Sequence, residues 1–238
     1  TATVANIETL VGGSANNTIT FGTLASNASV DLGAGTDKLI LGNYVNVATV
    51  SNVETLTGGS TSDTITLGSA LTGGTIIDLG AGADKLILGN FVNTGSANSV
   101  ETLIGGSLAD TITAGTVVSN ASIDLGAGSD KLVLGNFANV ATVSNIETLT
   151  GGTAADTMTL GAALTTAQAI DLGAGNDKLT LGSFANNTGT LTSIETIVGG
   201  TGADVLTIAT QVSNGSADLG VGADKLTLGD FANVGTFS

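Results

Sequence analysis

Apolar and polar residues alternate at period two in short stretches along the whole chain. Thr18-Ile19-Thr20-Phe21 and Lys38-Leu39-Ile40-Leu41 come first, and Thr64-Ile65-Thr66-Leu67 and Lys85-Leu86-Ile87-Leu88 repeat them. Alternation over four to six residues, rich in threonine, valine and isoleucine, belongs to half-buried strands. Glycine closes these stretches, where it would cost a helix about 1 kcal/mol per residue. Ile19, Leu39, Ile65 and Leu86 are expected to point inward, with the partner positions Phe21, Leu41, Leu67 and Leu88. A strand-turn-strand piece this short cannot bury an apolar face alone, but stacked on copies of itself it can. The pattern predicts an all-β fold, a parallel β-solenoid.

The copies keep a strict phase. The acid of the Ile/Val-Glu-Thr motif falls at Glu8, Glu54, Glu101, Glu147 and Glu195, and the Asp-Leu-Gly block begins at Asp31, Asp78, Asp124, Asp171 and Asp218. Successive copies lie 46 to 48 residues apart. Residues 1–238 therefore read as one continuous repeat domain, with repeats at about 1–51, 52–98, 99–144, 145–192 and 193–238. Each repeat divides into two similar halves, which predicts about ten coils averaging some 23 residues. At about 4.8 Å per coil the stack would be on the order of 50 Å long.

Charge obeys the same period. Twenty acids face five basic residues, all lysine, for a formal charge of −15. A polyanion is repelled by nucleic acid and by anionic membrane, so neither is expected as a partner. No apolar run approaches the ~18 residues of a membrane span. Nor does a basic segment lead into an apolar one, so the chain reads as a mature product or a piece of something longer. With no histidine, cysteine or arginine, imidazole and thiolate chemistry and arginine clamps on phosphate are excluded. Oxygen-ligand chemistry remains. Stacked coils would set equivalent acids about 5 Å apart, where two charges repel by on the order of 1–3 kcal/mol. A hard divalent cation would relieve such a ladder. Lys38, Lys85, Lys131, Lys178 and Lys225 alternate with Thr18, Thr64, Thr111, Thr157 and Val205, so no two lysines need sit on adjacent coils.

The glycine turns resemble those of the repeats-in-toxin (RTX) family, whose nonapeptide is G-G-x-G-x-D-x-U-x with U a large apolar residue. Gly199-Gly200-Thr201-Gly202-Ala203-Asp204-Val205-Leu206-Thr207 fits every position. Gly33, Gly35, Asp37 and Leu39 keep the core of the motif, as do the turns at Asp84, Asp130, Asp177 and Asp224. The resemblance spans essentially the whole chain. It implies a secreted bacterial β-roll that holds several Ca²⁺ ions between coils through aspartate and backbone carbonyl oxygens. The ligands it implies are Asp37, Asp63, Asp84, Asp110, Asp130, Asp156, Asp177, Asp204 and Asp224. The sequence departs from the family where Ala15, Thr61, Leu108 and Ala154 replace the fourth-position glycine and Asn17 replaces an aspartate. A left-handed backbone at those four positions would cost roughly 1–2 kcal/mol each. The alternative role for the same aspartates is a side-chain bond to the turn backbone, with no metal. Glu8, Asp31 and their equivalents precede a core leucine and are expected to face solvent.

Tyr44, Phe91, Phe137, Phe184 and Phe231 supply one aromatic per repeat, expected as filler under a connecting loop, with a carbohydrate-stacking stripe as the alternative. Thr-x-Thr pairs such as Thr64/Thr66 would form an outward hydroxyl grid similar to ice-binding solenoid faces, but lysine interrupts it. Ile40, Ile87 and Val133 are expected to face outward, where exposed apolar residues invite lateral packing with another chain. Catalysis normally breaks repeat symmetry, and the one off-phase acid is Asp230, so no enzyme is expected. Ala2–Glu8 matches Ala141–Glu147, and Asn233–Ser238 matches Asn139–Ser144. This match leads to the expectation of a longer repeat array, or of copies stacked end to end. The reading is a calcium-binding structural domain, secreted or on the cell surface: an adhesin shaft, a surface-layer subunit or a filament. Its rivals are a metal-independent self-assembling fibre and a carbohydrate- or ice-binding surface.

Overall fold

The computed structural model describes residues Thr1–Ser238 and contains strands and turns but no helix. The chain divides into two compact units, Thr1–Thr116 with Leu125–Gly128, and Val117–Asp124 with Ser129–Ser238. Within each unit successive strands alternate between two parallel sheets, so a strand pairs with the one two places further on. In the first unit Thr18–Phe21 pairs with Lys38–Ile40, and that strand with Thr55–Gly59. In the second, Lys131–Leu134 pairs with Thr148–Thr150, and that strand with Ala169–Asp171. This is a parallel β-solenoid with 26 strands, thirteen in each of two sheets, so that about twelve turns link the first strand of a sheet to its last.

The register corrects the expected coil length. Thr18 pairs with Lys38, Lys38 with Thr55 and Thr55 with Ile76, giving turns of 20, 17 and 21 residues. Turns are shorter and more numerous than the predicted ten because each repeat contributes five strands rather than four. Repeat 1, after the short strand Ala2–Val4, supplies Thr9–Gly13, Thr18–Phe21, Ser26–Gly33, Lys38–Ile40 and Val47–Ser51. The last of these buries only Ala48 and Val50, a faint apolar signal between Asn46 and Asn52. Five strands make two and a half turns, so a motif returns on the other sheet in the next repeat. Thus the Glu-Thr-Leu strand lies in one sheet as Thr9–Gly13 and in the other as Thr55–Gly59.

The core consists of apolar columns set by this register. Ile19, Leu39, Leu56 and Ile77 stack in the first unit, and Leu132, Leu149, Ile170 and Leu191 in the second. All but Ile19, which lies near the first turn, are buried. Each such side chain contributes about 1.5–3 kcal/mol. Of the residues predicted to point inward, Leu39, Ile65, Leu86, Phe21, Leu41, Leu67 and Leu88 are buried and Ile19 is half-buried. Ile40, Ile87 and Val133 lie at half-exposed positions. Lys38 sits between Thr18 and Thr55, and Lys178 between Thr157 and Thr196, so neighbouring lysines are avoided as expected.

Two turn glycines explain why the Asp-Leu-Gly-Ala-Gly block is so uniform. Gly33 has φ +84° and Gly35 +150°, both in the region that penalises a side chain. Ala15, Thr61, Leu108 and Ala154 keep negative φ, so the strain expected from the missing glycine does not arise there. The left-handed residues of the other turns are Asn6, Asn52, Ser99, Asn145 and Ser193, at φ 52–53°. Asparagine tolerates this region because its short polar side chain bonds locally.

Candidate functional site

Each turn delivers one residue to an equivalent edge position, in most just before the next strand but at Leu71 separated by a loop from the strand Ile76–Gly80, and these residues stack into ladders along two edges. In the first unit one edge reads Glu8, Ala25, Asn46, Asp63, Asp84, Glu101 over successive turns. The other reads Asn17, Asp37, Glu54, Leu71, Asn93, Asp110. The second unit repeats the order, with Val118, Asn139, Asp156, Asp177 and Glu195 on one edge and Asn187, Asp204 and Asp224 on the other. This corrects the expected single column of like carboxylates. The order within a unit is Asn, Asp, Asp, Glu, apolar, a consequence of two and a half turns per repeat.

The ladder is held by one recurring bond: a side-chain oxygen accepts the backbone N–H of the residue one turn earlier. Asn46 Oδ1 accepts from Ala25 N at 3.0 Å, and Asp63 Oδ1 from Asn46 N at 2.9 Å. Asp84 Oδ1 accepts from Asp63 N at 2.6 Å and Glu101 Oε2 from Asp84 N at 2.7 Å. Asn139, Asp156, Asp177 and Glu195 repeat these bonds in the second unit at 2.7–3.0 Å. Glu54, Glu101, Glu147 and Glu195 are therefore half-buried ladder members, not the solvent-facing residues expected. Their position immediately before a strand, the same as that of the aspartates, was the available signal. Asp31, Asp78, Asp171 and Asp218 are different. Each caps the glycine two residues on at 3.0–3.2 Å and stays near the surface.

Of the sequence-predicted ligands, Asp37, Asp63, Asp84, Asp110, Asp130, Asp156, Asp177 and Asp204 are all at most 1% exposed. Asp224, near the last turn, is half-buried. In Asp37, Asp63, Asp84, Asp156, Asp177 and Asp204 the second oxygen, Oδ2, is buried without a hydrogen-bond partner. The ladder asparagines reveal what surrounds that second atom. Asn46 Nδ2 donates to Gly42 O at 3.0 Å and Tyr44 O at 2.7 Å. Asn139 and Asn233 do the same to the carbonyls four and two residues back. Asn17, which stands where other repeats have an aspartate, donates to Ala15 O at 2.7 Å and Leu32 O at 3.4 Å. Aspartate keeps the Oδ1 bond, and its Oδ2, which unlike an amide nitrogen has no hydrogen to donate, is left buried without a partner. An acceptor has replaced a donor, which is costly for a buried group unless a proton or cation intervenes.

Electrostatics point the same way. The carboxyls of Asp84 and Asp177 are pushed up to about 6, chiefly by burial. The N–H of Asp63 or Asp156 works against that rise, and the charges of Glu101 and Asp63, or Glu195 and Asp156, add to it. No three acidic side chains converge into a cluster. A cation here would take most of its ligands from turn carbonyls, with one or two carboxylates supplying charge.

Three of the five aromatics do not fill space under a loop, whereas Phe91 and Phe184 are half-buried. Tyr44, Phe137 and Phe231 are 42–51% exposed. The rings of Tyr44 and Phe231 lie against Gly42 and Gly229 of their own turns. Comparison with family models, curated proteins and solved structures returned no match.

Proposed function

We propose that the chain is a non-enzymatic, calcium-binding structural repeat domain of a secreted or cell-surface protein, serving as an adhesin shaft, surface-layer subunit or filament. The observation that carries this reading is the set of buried, unpartnered Asp Oδ2 atoms in turns whose asparagine counterparts give a hydrogen to two backbone carbonyls. Oxygen donors without a proton suit a hard divalent cation. The RTX-like turns at Asp37, Asp84, Asp177 and Asp204, with the first-half turns at Asp63 and Asp156, would hold it; Asp110, Asp130 and Asp224 complete the ligand set. The ion would supply positive charge where two acids stack and so couple binding to folding. Self-association or continuation into a longer array fits a repeat whose sheets can extend by the same strand pairing. The test is a thermal melt. EGTA is expected to lower the midpoint sharply and millimolar Ca²⁺ to restore it, with a calorimetric titration giving several ions per chain. An unchanged melt in chelator removes the calcium role and leaves the solenoid.

A second reading is favoured by the Oδ1 bonds, which already tie each turn to the one before. In it the aspartates are caps, protons replace the cation, and the protein is a metal-independent self-assembling fibre. Electron microscopy with and without Ca²⁺ separates the two.

A further inference from the structure

Three asparagines outside the ladder are set apart by bulges in the sheet. Asn27, Asn120 and Asn214 are exposed, with φ of 53–56°. Each sits on a bulge: Ser26 pairs with Val47 and Ala28 with Ala48, so Asn27 is squeezed out of the sheet. Asn120 is extruded between Ser119 and Ala121 in the same way, and Asn214 between Ser213 and Gly215. A left-handed residue on a bulge turns away from the ladder and needs no partner strand. Their side-chain amides are not spent on the ladder, unlike Asn17, Asn46, Asn93, Asn139 and Asn233, whose Nδ2 atoms hold turn carbonyls.

The residues that follow are Ala28-Ser29, Ala121-Ser122 and Gly215-Ser216, so each asparagine opens an Asn-x-Ser sequence with no proline. That triplet is the acceptor for N-linked glycosylation when it is accessible. Two further triplets exist, at Asn16-Asn17-Thr18 and Asn186-Asn187-Thr188. In both of those the Thr hydroxyl lies on a half-buried residue, and Asn16 Oδ1 already accepts from Thr36 N at 2.9 Å. Ser29, Ser122 and Ser216 are exposed together with their asparagines. Within the second unit Asn120 and Asn214 are five turns apart, about 24 Å at strand spacing, so two glycans have room side by side.

We propose that Asn27, Asn120 and Asn214 are N-glycosylation acceptors. The donor is a phosphate-activated sugar. The asparagine Nδ2 bonds to the anomeric carbon, the bond from that carbon to the phosphate oxygen breaks, the phosphate leaves with the electron pair, and the amide loses one proton. Because none of the three amides supports a turn, the sugar is added without cost to the fold. The glycan then stands on the outer surface beside the sheet.

The test is peptide-level mass spectrometry of the full chain recovered from its own producing cells, beside a Ser29→Ala variant made in those cells. This substitution destroys the first triplet while leaving the left-handed asparagine in place. The expected result is a glycan mass on Asn27, Asn120 and Asn214, none on Asn16 or Asn186, and loss at Asn27 alone in the variant with an unchanged melting midpoint. Unmodified peptides at the bulges, modification at Asn16 or Asn186 instead, or a glycan that survives Ser29→Ala each overturns the proposal.

Discussion

The first repeat and the second carry the same ladder with one rung changed. The rungs of the first repeat run from Asn17 to Asp37 and on to Glu54 at the start of the second; those of the second run from Asp63 to Asp84 and on to Glu101 at the start of the third. Asn17 closes its own turn by giving its amide hydrogens to Ala15 O and Leu32 O. The corresponding carbonyls of the second repeat belong to Thr61 and Leu79, and there Asp63 offers Oδ2, an oxygen with nothing to donate. The backbone path is equivalent, since both turns precede a strand of the form Thr-Ile-Thr and pair with a following Lys-Leu-Ile strand. A turn of this shape is thus complete with a neutral amide. Aspartate at the same place leaves it one positive charge or one proton short.

The largest effect should come from imposing the first repeat's chemistry on the others. Asp63→Asn combined with Asp156→Asn is expected to raise the melting midpoint in EGTA and lower the Ca²⁺ stoichiometry, with less gain from added Ca²⁺ than in the parent. Each orphaned buried oxygen costs about 1–3 kcal/mol, so two replacements should move the chelated midpoint by several degrees. If the aspartates serve only as backbone caps through Oδ1, the double variant melts like the parent in both buffers.

Acid should act as a substitute for the cation. Asp84 and Asp177 titrate near 6 in the folded chain against an ordinary value of 3.8. Between these values the native state binds more protons than the unfolded one, so this contribution to stability is present in acid and is lost as pH rises through about 6. Stripped of calcium and dialysed into metal-free buffer, the chain is expected to melt higher at pH 4.5 than at pH 7.5, and Asp84→Asn with Asp177→Asn should flatten that difference. Ca²⁺ should help most at the higher pH. A metal-free melt that worsens on acidification would show that the paired acids are not the groups in control.

The fold was legible because period-two alternation and a 46–48-residue repeat leave few architectures that bury Leu39, Leu86 and their equivalents. The turn count was not, because Val47–Ser51 buries one alanine and one valine and reads as a loop until Ala28 and Ile65 are seen on either side of Ala48. The candidate aspartates could be picked by their place after glycine and before a strand. Their arrangement on two edges depended on that missed fifth strand, since only an odd number of strands moves a motif to the other side. The part played by Glu101 depended on its partner being Asp84 N, 17 residues earlier, a distance set by register alone. The exposure of Tyr44 follows from Gly42, whose missing side chain gives the ring a resting place on its own turn. A one-dimensional pattern of apolar residues suggests filler instead.

The smallest and most specific change runs the comparison backwards. Asn17→Asp removes the donor that holds Ala15 O and Leu32 O and places an acid one turn before Asp37, in the relation Asp63 has to Asp84. The first repeat lies at the start of the described solenoid, and Asn17 and Ile19 are only half-buried. Water can reach the new carboxylate, so the stability loss in EGTA should be below the 1–3 kcal/mol of a fully buried orphan. The informative readout is therefore stoichiometry. Titration calorimetry should find one additional Ca²⁺ per chain in Asn17→Asp, because the turn carbonyls and the neighbouring Asp37 are already in place. A gain in bound calcium without a large change in melting midpoint would assign the ion to the turn itself. An unaltered stoichiometry would mean that carbonyls and a pair of stacked carboxyls do not suffice, and that the amide of Asn17 is merely one of several ways to fill the turn.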